Sequence, residues 1–369
     1  YAMKEYRIKR IEKISDIAGK CGSDAFITDN SNIISYITGY YPDKNTYSVV
    51  IVLENGDIYL VLPRNSDFIE EVNIYEYETS AADYEKRSSA VKRALKNIIL
   101  NEDIVVSCPI DISSGFLVDS IYTECKSIID AGGLLEEVLS IKDEAEIDNI
   151  KDTLKLNTCV YDVLRKYLKE GQTELDIYNK ISSSFNELSG RPIDFLSDII
   201  SGVRASYVSG SAGPKKIKNG ETVIVDILPN LNGYYSDTTR TYFIGKPSDE
   251  NVKIYSTLIN VMDSIKQYLH PGIYSDEIYN AVNKIIRDSG YLGRFPHHAG
   301  HGIGMKSFES PFFLKNYRQM LKPNMVVTIE PGIYIPGDVG MRIENNYIIR
   351  PEGCECIFNY SMDICDFII

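Results

Sequence analysis

The chain has 369 residues, 44% of them hydrophobic and 25% charged, and a formal net charge of −13. This length can bury more than one core, so two domains are expected, and the composition is that of a soluble globular protein. The acidic excess argues against nucleic acid or an anionic membrane as a main partner, and no apolar run approaches the roughly 18 residues of a membrane span.

The opening residues alternate charged and apolar side chains at helical spacing over 3–20, which predicts an amphipathic helix and no signal peptide. Two β-rich runs, 48–53 and 57–63, flank Asn55-Gly56, a strong hairpin signal. A helix over 84–99 and a strand over 103–107 continue a mixed α/β pattern. Ala131-Gly132-Gly133 breaks that pattern, and residues 139–147 open a charged helix that runs to about Tyr167. Thr173 and Asp176 mark the start of another helix, ending near Leu188. Two amphipathic helices are expected between 250 and 290, separated by His270-Pro271-Gly272. The fold class is therefore α/β (α+β), in two domains, 1–135 and 136–369.

Seven cysteines are spread over both halves without a CxxC pair. They predict a reduced, cytoplasmic protein whose cysteines are buried as small hydrophobes, in preference to a metal or redox pair at Cys354 and Cys356.

The residues suited to chemistry lie between Thr222 and Glu344. Asp226 ends an apolar run, and a turn centred on Leu231 and Asn232 would set it opposite Asp237 on the return strand. Two facing carboxylates repel by about 4 kcal/mol at 4 Å in an effective dielectric of 20, so a proton or a cation must sit between them. The alternative is an exposed loop with incidental aspartates.

Three of the four histidines, His297, His298 and His301, cluster beside Gly300, Gly302 and Gly304. A glycine-rich segment lets backbone approach a ligand closely. No β-rich run precedes it, which argues against a dinucleotide-binding turn. Glu330 lies in an otherwise apolar run, where an uncompensated charge costs several kcal/mol. Arg342 and Glu344 fall on one face of a strand, and a simple surface ion pair is the alternative there. Two Asp, two Glu and one His form an oxygen-rich set suited to Mn²⁺, Co²⁺, Fe²⁺ or Zn²⁺, and four carboxylates call for two such ions.

The order Asp226, then Asp237-Thr238-Thr239-Arg240, then Gly300-His301-Gly302-Ile303-Gly304, then Glu330-Pro331, then Arg342-Ile343-Glu344 resembles the creatinase/prolidase/aminopeptidase P/methionine aminopeptidase family. The resemblance spans nearly the whole chain. It implies a creatinase-type N-terminal domain, a pita-bread catalytic domain and a homodimer. It also implies metal ligands Asp226, Asp237, His301, Glu330 and Glu344. The activity implied is cleavage of a small peptide or amide substrate, as an Xaa-Pro dipeptidase or aminopeptidase, by attack of a metal-bridging water. Glu330 would shuttle the proton, and His297, Ser209, Phe308 and Arg342 would face the substrate. The chain departs from the family in three places. Ser209 and Phe308 stand where two further histidines are usual, and Leu228 stands for a glycine. These departures keep open a hydrolase or lyase acting on a small nitrogenous metabolite, or a metal-binding homologue impaired in catalysis.

Overall fold

The computed structural model describes residues 2–42, 47–63, 72–77, 84–98, 103–122 and 124–369. The chain forms two compact units, Tyr1–Leu139 and Ser140–Ile369.

The first unit runs α1 (Ala2–Cys21), β1 (Ala25–Thr28), α2 (Ser31–Thr38), β2 (Val49–Leu53), β3 (Ile58–Pro63), β4 (Asn73–Tyr77), α3 (Tyr84–Ile98), β5 (Val105–Cys108), α4 (Gly115–Tyr122), β6 (Ser127–Asp130) and α5 (Gly132–Ser140). Its strands form one mixed sheet in the order β4-β3-β2-β1-β5-β6. The hairpin expected at Asn55-Gly56 joins β2 to β3, with Val52 opposite Ile58 and Gly56 at φ 88°. The helix expected over 84–99 is α3; residue 99 lies outside the described residues. Gly132 and Gly133 begin α5 rather than break the chain into loop. Residues such as Ile27, Ile51, Val91, Leu95 and Val106 close the core of this unit.

The second unit begins with α6 (Glu144–Tyr167) and α7 (Glu174–Ser189), each opened by a capping box. Asp143 caps the Glu146 amide of α6, and Thr173 caps the Asp176 amide of α7. Such a cap contributes about 0.5–2 kcal/mol. Next come β7 (Phe195–Ser201), β8 (Thr222–Leu231), β9 (Tyr234–Tyr235) and β10 (Thr238–Phe243), then α8 (Asp249–Ile265) and α9 (Ser275–Asp288). The remaining strands are β11 (His301–Gly302), β12 (Glu309–Phe312), β13 (Val326–Ile329), β14 (Gly332–Ile335), β15 (Val339–Arg342), β16 (Asn345–Arg350) and β17 (Gly353–Cys356). They form three sheets: β10-β8-β7 with β9 on β8, β12-β11-β13-β16-β17, and the pair β14-β15.

Buried polar groups tie α6 to the first of these sheets. The Asn157 amide donates to Thr238 Oγ1 at 2.7 Å, and the Tyr161 hydroxyl donates to the Thr238 carbonyl at 2.7 Å. The glycines around His301 serve backbone packing rather than a ligand. A Cβ on Gly300 would meet the Thr328 carbonyl, and one on Gly302 would meet the Ser310 carbonyl. All seven cysteines are free, but only Cys108 is buried; Cys159 and Cys365 are exposed, because they fall on solvent faces of their elements. Among the described residues no helix is long and apolar enough to cross a membrane.

Lys142 and Glu309 form an ion pair with side chains only 1% and 4% exposed. Removing one charge strands the other in a dry site. Glu309→Gln is therefore expected to lower stability by about 3–5 kcal/mol in urea denaturation, and Lys142→Met added to it to restore much of the loss.

Candidate metal centre

Asp226, Asp237, His301, Glu330 and Glu344 are all buried in the second unit. Asp226 projects from the middle of β8, and His301 opens β11. The other three occupy interruptions between strands: Asp237 between β9 and β10, Glu330 between β13 and β14, Glu344 between β15 and β16. The apolar run around Glu330 reads as one strand in the sequence, yet Pro331 has no N–H to continue a ladder and the strand ends at Ile329.

The hairpin register also differs from the expected one. Asn232 and Gly233 both have positive φ, 54° and 82°, so the two-residue turn falls one position later than anticipated. Asp226 consequently faces Thr239, not Asp237. Extending the ladder sets Asp237 level with Leu228, so the two aspartates are diagonal neighbours on one face.

Three of these candidate ligands are each held through one polar atom and leave another bare. Arg342 Nη2 donates to Asp226 Oδ2 at 2.6 Å, and Asp226 Oδ1 is buried without a hydrogen-bond partner. Thr239 donates to Glu344 Oε2 at 2.8 Å, and Glu344 Oε1 is left without a partner. His301 Nδ1 lies 2.8 Å from the Gly302 carbonyl, which fixes the proton there and leaves the Nε2 lone pair free. That nitrogen is 3.4 Å from Asp237 Oδ2 and 3.4 Å from Glu330 Oε1, while Asp237 Oδ1 is also unpartnered. Donor atoms of Asp237, His301 and Glu344 all lie within 4.8 Å of one another. Buried acceptors without donors, converging from several strands, fit a divalent cation, and backbone or side-chain partners on the far atoms are what orient metal ligands.

The electrostatics agree. Burial, reinforced by Glu344, Asp226 and Glu330, pushes the Asp237 carboxyl well above its ordinary range. Burial and the same neighbours, Glu330 and Asp226, do so for Glu344. Asp226 is pushed up to about 6 by burial, with Arg342 opposing. Glu330 goes the other way, to about 2: burial raises it, but the imidazoles of His298, His301 and His297 outweigh that. Burial holds His301 down to about 4 and His297 to about 3.

A cavity of about 340 Å³ adjoins the centre, and Ser209, Phe308, His297 and Arg342 all line it. Leu228, where the resemblance implies a glycine, lines it too. Arg342 does not pair with Glu344, because β15 ends at Arg342 and the chain turns before the glutamate. Its five N–H groups go instead to Asp226, Asp198, Tyr334, Thr239 and the Val208 carbonyl. The guanidinium is thus committed to the protein and braces Asp226. Val208 has φ 77°, a region costly for a β-branched residue, and this conformation carries both its carbonyl to Arg342 and Ser209 to the cavity.

His297 Nδ1 meets the His298 carbonyl at 2.7 Å and Nε2 meets the Tyr334 hydroxyl at 3.0 Å. Phe308 stacks on His301, with centroids 3.8 Å apart. Sequence reasoning missed Thr239, Arg240, Asp198 and Tyr334. Arg240 is buried and donates to the Glu344 carbonyl at 2.7 Å, fixing the backbone at that ligand. Its signal was the unbroken series Asp237-Thr238-Thr239-Arg240.

Metallopeptidase family M24 matches residues 148–351, and the chain belongs to that family. An uncharacterized peptidase of Staphylococcus aureus (strain USA300) is 30% identical over 359 residues, covering 95% of this chain and 99% of the relative. Among solved structures, an Xaa-Pro dipeptidase from Bacillus anthracis superposes with a TM-score of 0.87 at 23% identity, covering 98% of this chain and 100% of the other. A prolidase from Thermococcus sibiricus gives 0.85 at 25% identity, with 98% of each chain covered.

Cation binding must displace protons from these carboxyls. Asp226, Asp237 and Glu344 bind protons more tightly folded than unfolded, so their contribution to stability is full below about pH 4 and lost as pH rises through their folded values. Glu330, with its lowered value, contributes above the unfolded value and loses its share only as pH falls through about 2. The gap in Tm between manganese-loaded and chelator-treated protein is therefore expected to widen from about pH 5 to about pH 8. A constant or narrowing gap would contradict this account.

Proposed function

We propose that the chain is a dinuclear-metal hydrolase that cleaves the amide bond of small Xaa-Pro peptides, as a dipeptidase (prolidase) or an aminopeptidase. The observation that carries the reading is the set of bare, buried donor atoms on Asp226, Asp237, His301 and Glu344, with Glu330 Oε1 beside them. Four carboxylates carry more charge than one dication neutralises, which supports two ions; the oxygen-rich set suits manganese, cobalt, iron or zinc. When bound, such ions lower the pKa of water toward neutrality and polarise a carbonyl.

The chain's own residues do the rest. In this reading Glu330 would accept the proton released at attack and return it to the leaving nitrogen, as the family resemblance implies. His297 is neutral, since burial lowers it to about 3, and is held by Tyr334 at the cavity wall. Ser209 offers the wall a hydroxyl in place of an imidazole. Arg342 positions Asp226 and bounds the substrate space without a spare N–H.

The match in length and fold to prolidase structures supports reading the Tyr1–Leu139 unit as a prolidase-type N-terminal domain, and the family resemblance implies a homodimer. The free cysteines support residence in a reducing cytoplasm.

A second reading rests on Phe308, which is 46% exposed and covers one face of His301. An apolar ring where the resemblance expects an imidazole reshapes the wall while sparing the ligands. That suits a hydrolase or lyase for a small nitrogenous metabolite, or a homologue slow in catalysis.

The test is metal analysis of protein purified without chelator, then Mn²⁺ or Co²⁺ reconstitution against Xaa-Pro dipeptides, longer Xaa-Pro peptides and cyclic amides. Xaa-Pro hydrolysis is expected, with Glu330→Gln lowering kcat by about 10²–10⁴. Turnover of cyclic amides alone would favour the second reading. If Ser209→His with Phe308→His creates peptidase activity where there was none, the natural chain is an impaired homologue.

A further inference from the structure

We propose that His298 is an additional imidazole ligand of the metal centre, on its Glu330 side. The inference rests on the dinuclear reading above and adds a ligand that the family resemblance does not supply.

His298 Nδ1 is buried like the bare atoms of the expected ligands, Asp226 Oδ1, Asp237 Oδ1, His301 Nε2 and Glu344 Oε1, and the polar group it meets is the carboxylate of Glu330, itself one of those ligands. It lies 3.2 Å from Glu330 Oε1, and the same oxygen lies 3.4 Å from His301 Nε2. Two donors on one ion, each at about 2.1 Å, are about 3.0–3.4 Å apart in tetrahedral or octahedral geometry. Both spacings fall in or at the edge of that range.

Donor atoms of His297, His298 and Glu330 form a second group lying within 4.8 Å of one another. Within it His297 has no free nitrogen, since Nδ1 is engaged by the His298 carbonyl and Nε2 by Tyr334. The available imidazole is His298. Phe308 fixes its ring plane, packing edge-on against it at 5.4 Å while stacking on His301. The phenylalanine that removes one expected imidazole thus supports another, recruited from a neighbouring position.

A second neutral nitrogen adds no charge but makes the donor set softer, and so favours Zn²⁺, Co²⁺ or Fe²⁺ over Mn²⁺. A substrate contact alone would leave the ions' own properties untouched, and this separates the two roles.

The experiment is Co²⁺ titration of the metal-free, full-length protein, followed by calorimetry and by visible absorption, in wild type and His298→Ala. Loss of the imidazole is expected to weaken one of two binding events by about 10–100-fold or more and to change the d–d spectrum. Pulsed electron paramagnetic resonance on manganese-loaded wild type supplies a readout that needs no variant, and two distinct nitrogen couplings are expected. One nitrogen coupling, or unchanged affinity and spectrum in His298→Ala whatever happens to kcat/KM, would overturn the proposal. If wild type binds no Co²⁺, or Asp237→Ala binds it unaltered, the dinuclear reading itself fails, and the His298 proposal with it.

Discussion

Four carboxylates gathered in one buried space repel one another, and the architecture of the second unit answers to that repulsion. At an effective dielectric of 20 each close pair costs about 4 kcal/mol. A cation-free centre relieves the cost by holding protons, as the raised values of Asp226, Asp237 and Glu344 record. Divalent cations relieve it without protons. A metal bound there would therefore be coupled to stability, and the strands around the centre form a frame for charges that the frame alone cannot neutralise.

That frame works by division of labour within each side chain. One atom of Asp226, Glu344 and His301 is anchored, by Arg342, Thr239 and the Gly302 carbonyl respectively, and the other faces the centre. Arg240 adds a backbone anchor at Glu344. The anchors sit on β10, β11 and β15, so the ligands are fixed by three different sheets. Strand interruptions at Asp237, Glu330 and Glu344 turn these side chains off the regular alternation and toward a common point.

The pocket wall is where this chain departs from the pattern that the family resemblance implies. Ser209 reaches the cavity on a Val208 backbone held at positive φ. Phe308 lies flat on His301, and His298 stands at the edge of that ring. Serine and phenylalanine, where the family resemblance implies imidazoles, thus share the wall with a histidine from a neighbouring position, while the carboxylates are kept.

The family, the set of charged residues that gathers in the second unit and the helix starts were legible in the sequence, because each is written in local signals. Capping boxes at Asp143 and Thr173, the Asn55-Gly56 turn and the ordered Asp, His and Glu motifs need no knowledge of distant contacts. The register of the Asp226 hairpin was not legible to the residue, because Asn232 could share the turn with Leu231 or with Gly233, and the positive φ of Asn232 and Gly233 together decides it. The burial of cysteines was misjudged because it depends on which face of each element packs inward. Arg342 shows the same limit. Alternation pairs it with Glu344, but its partners on β7, β8 and β10 lie far away in sequence and become neighbours only when the strands assemble. The sequence by itself determined which side chains carry the charge; tertiary structure decided which atom of each is tied down and which is left bare, since that choice belongs to donors brought in from other strands.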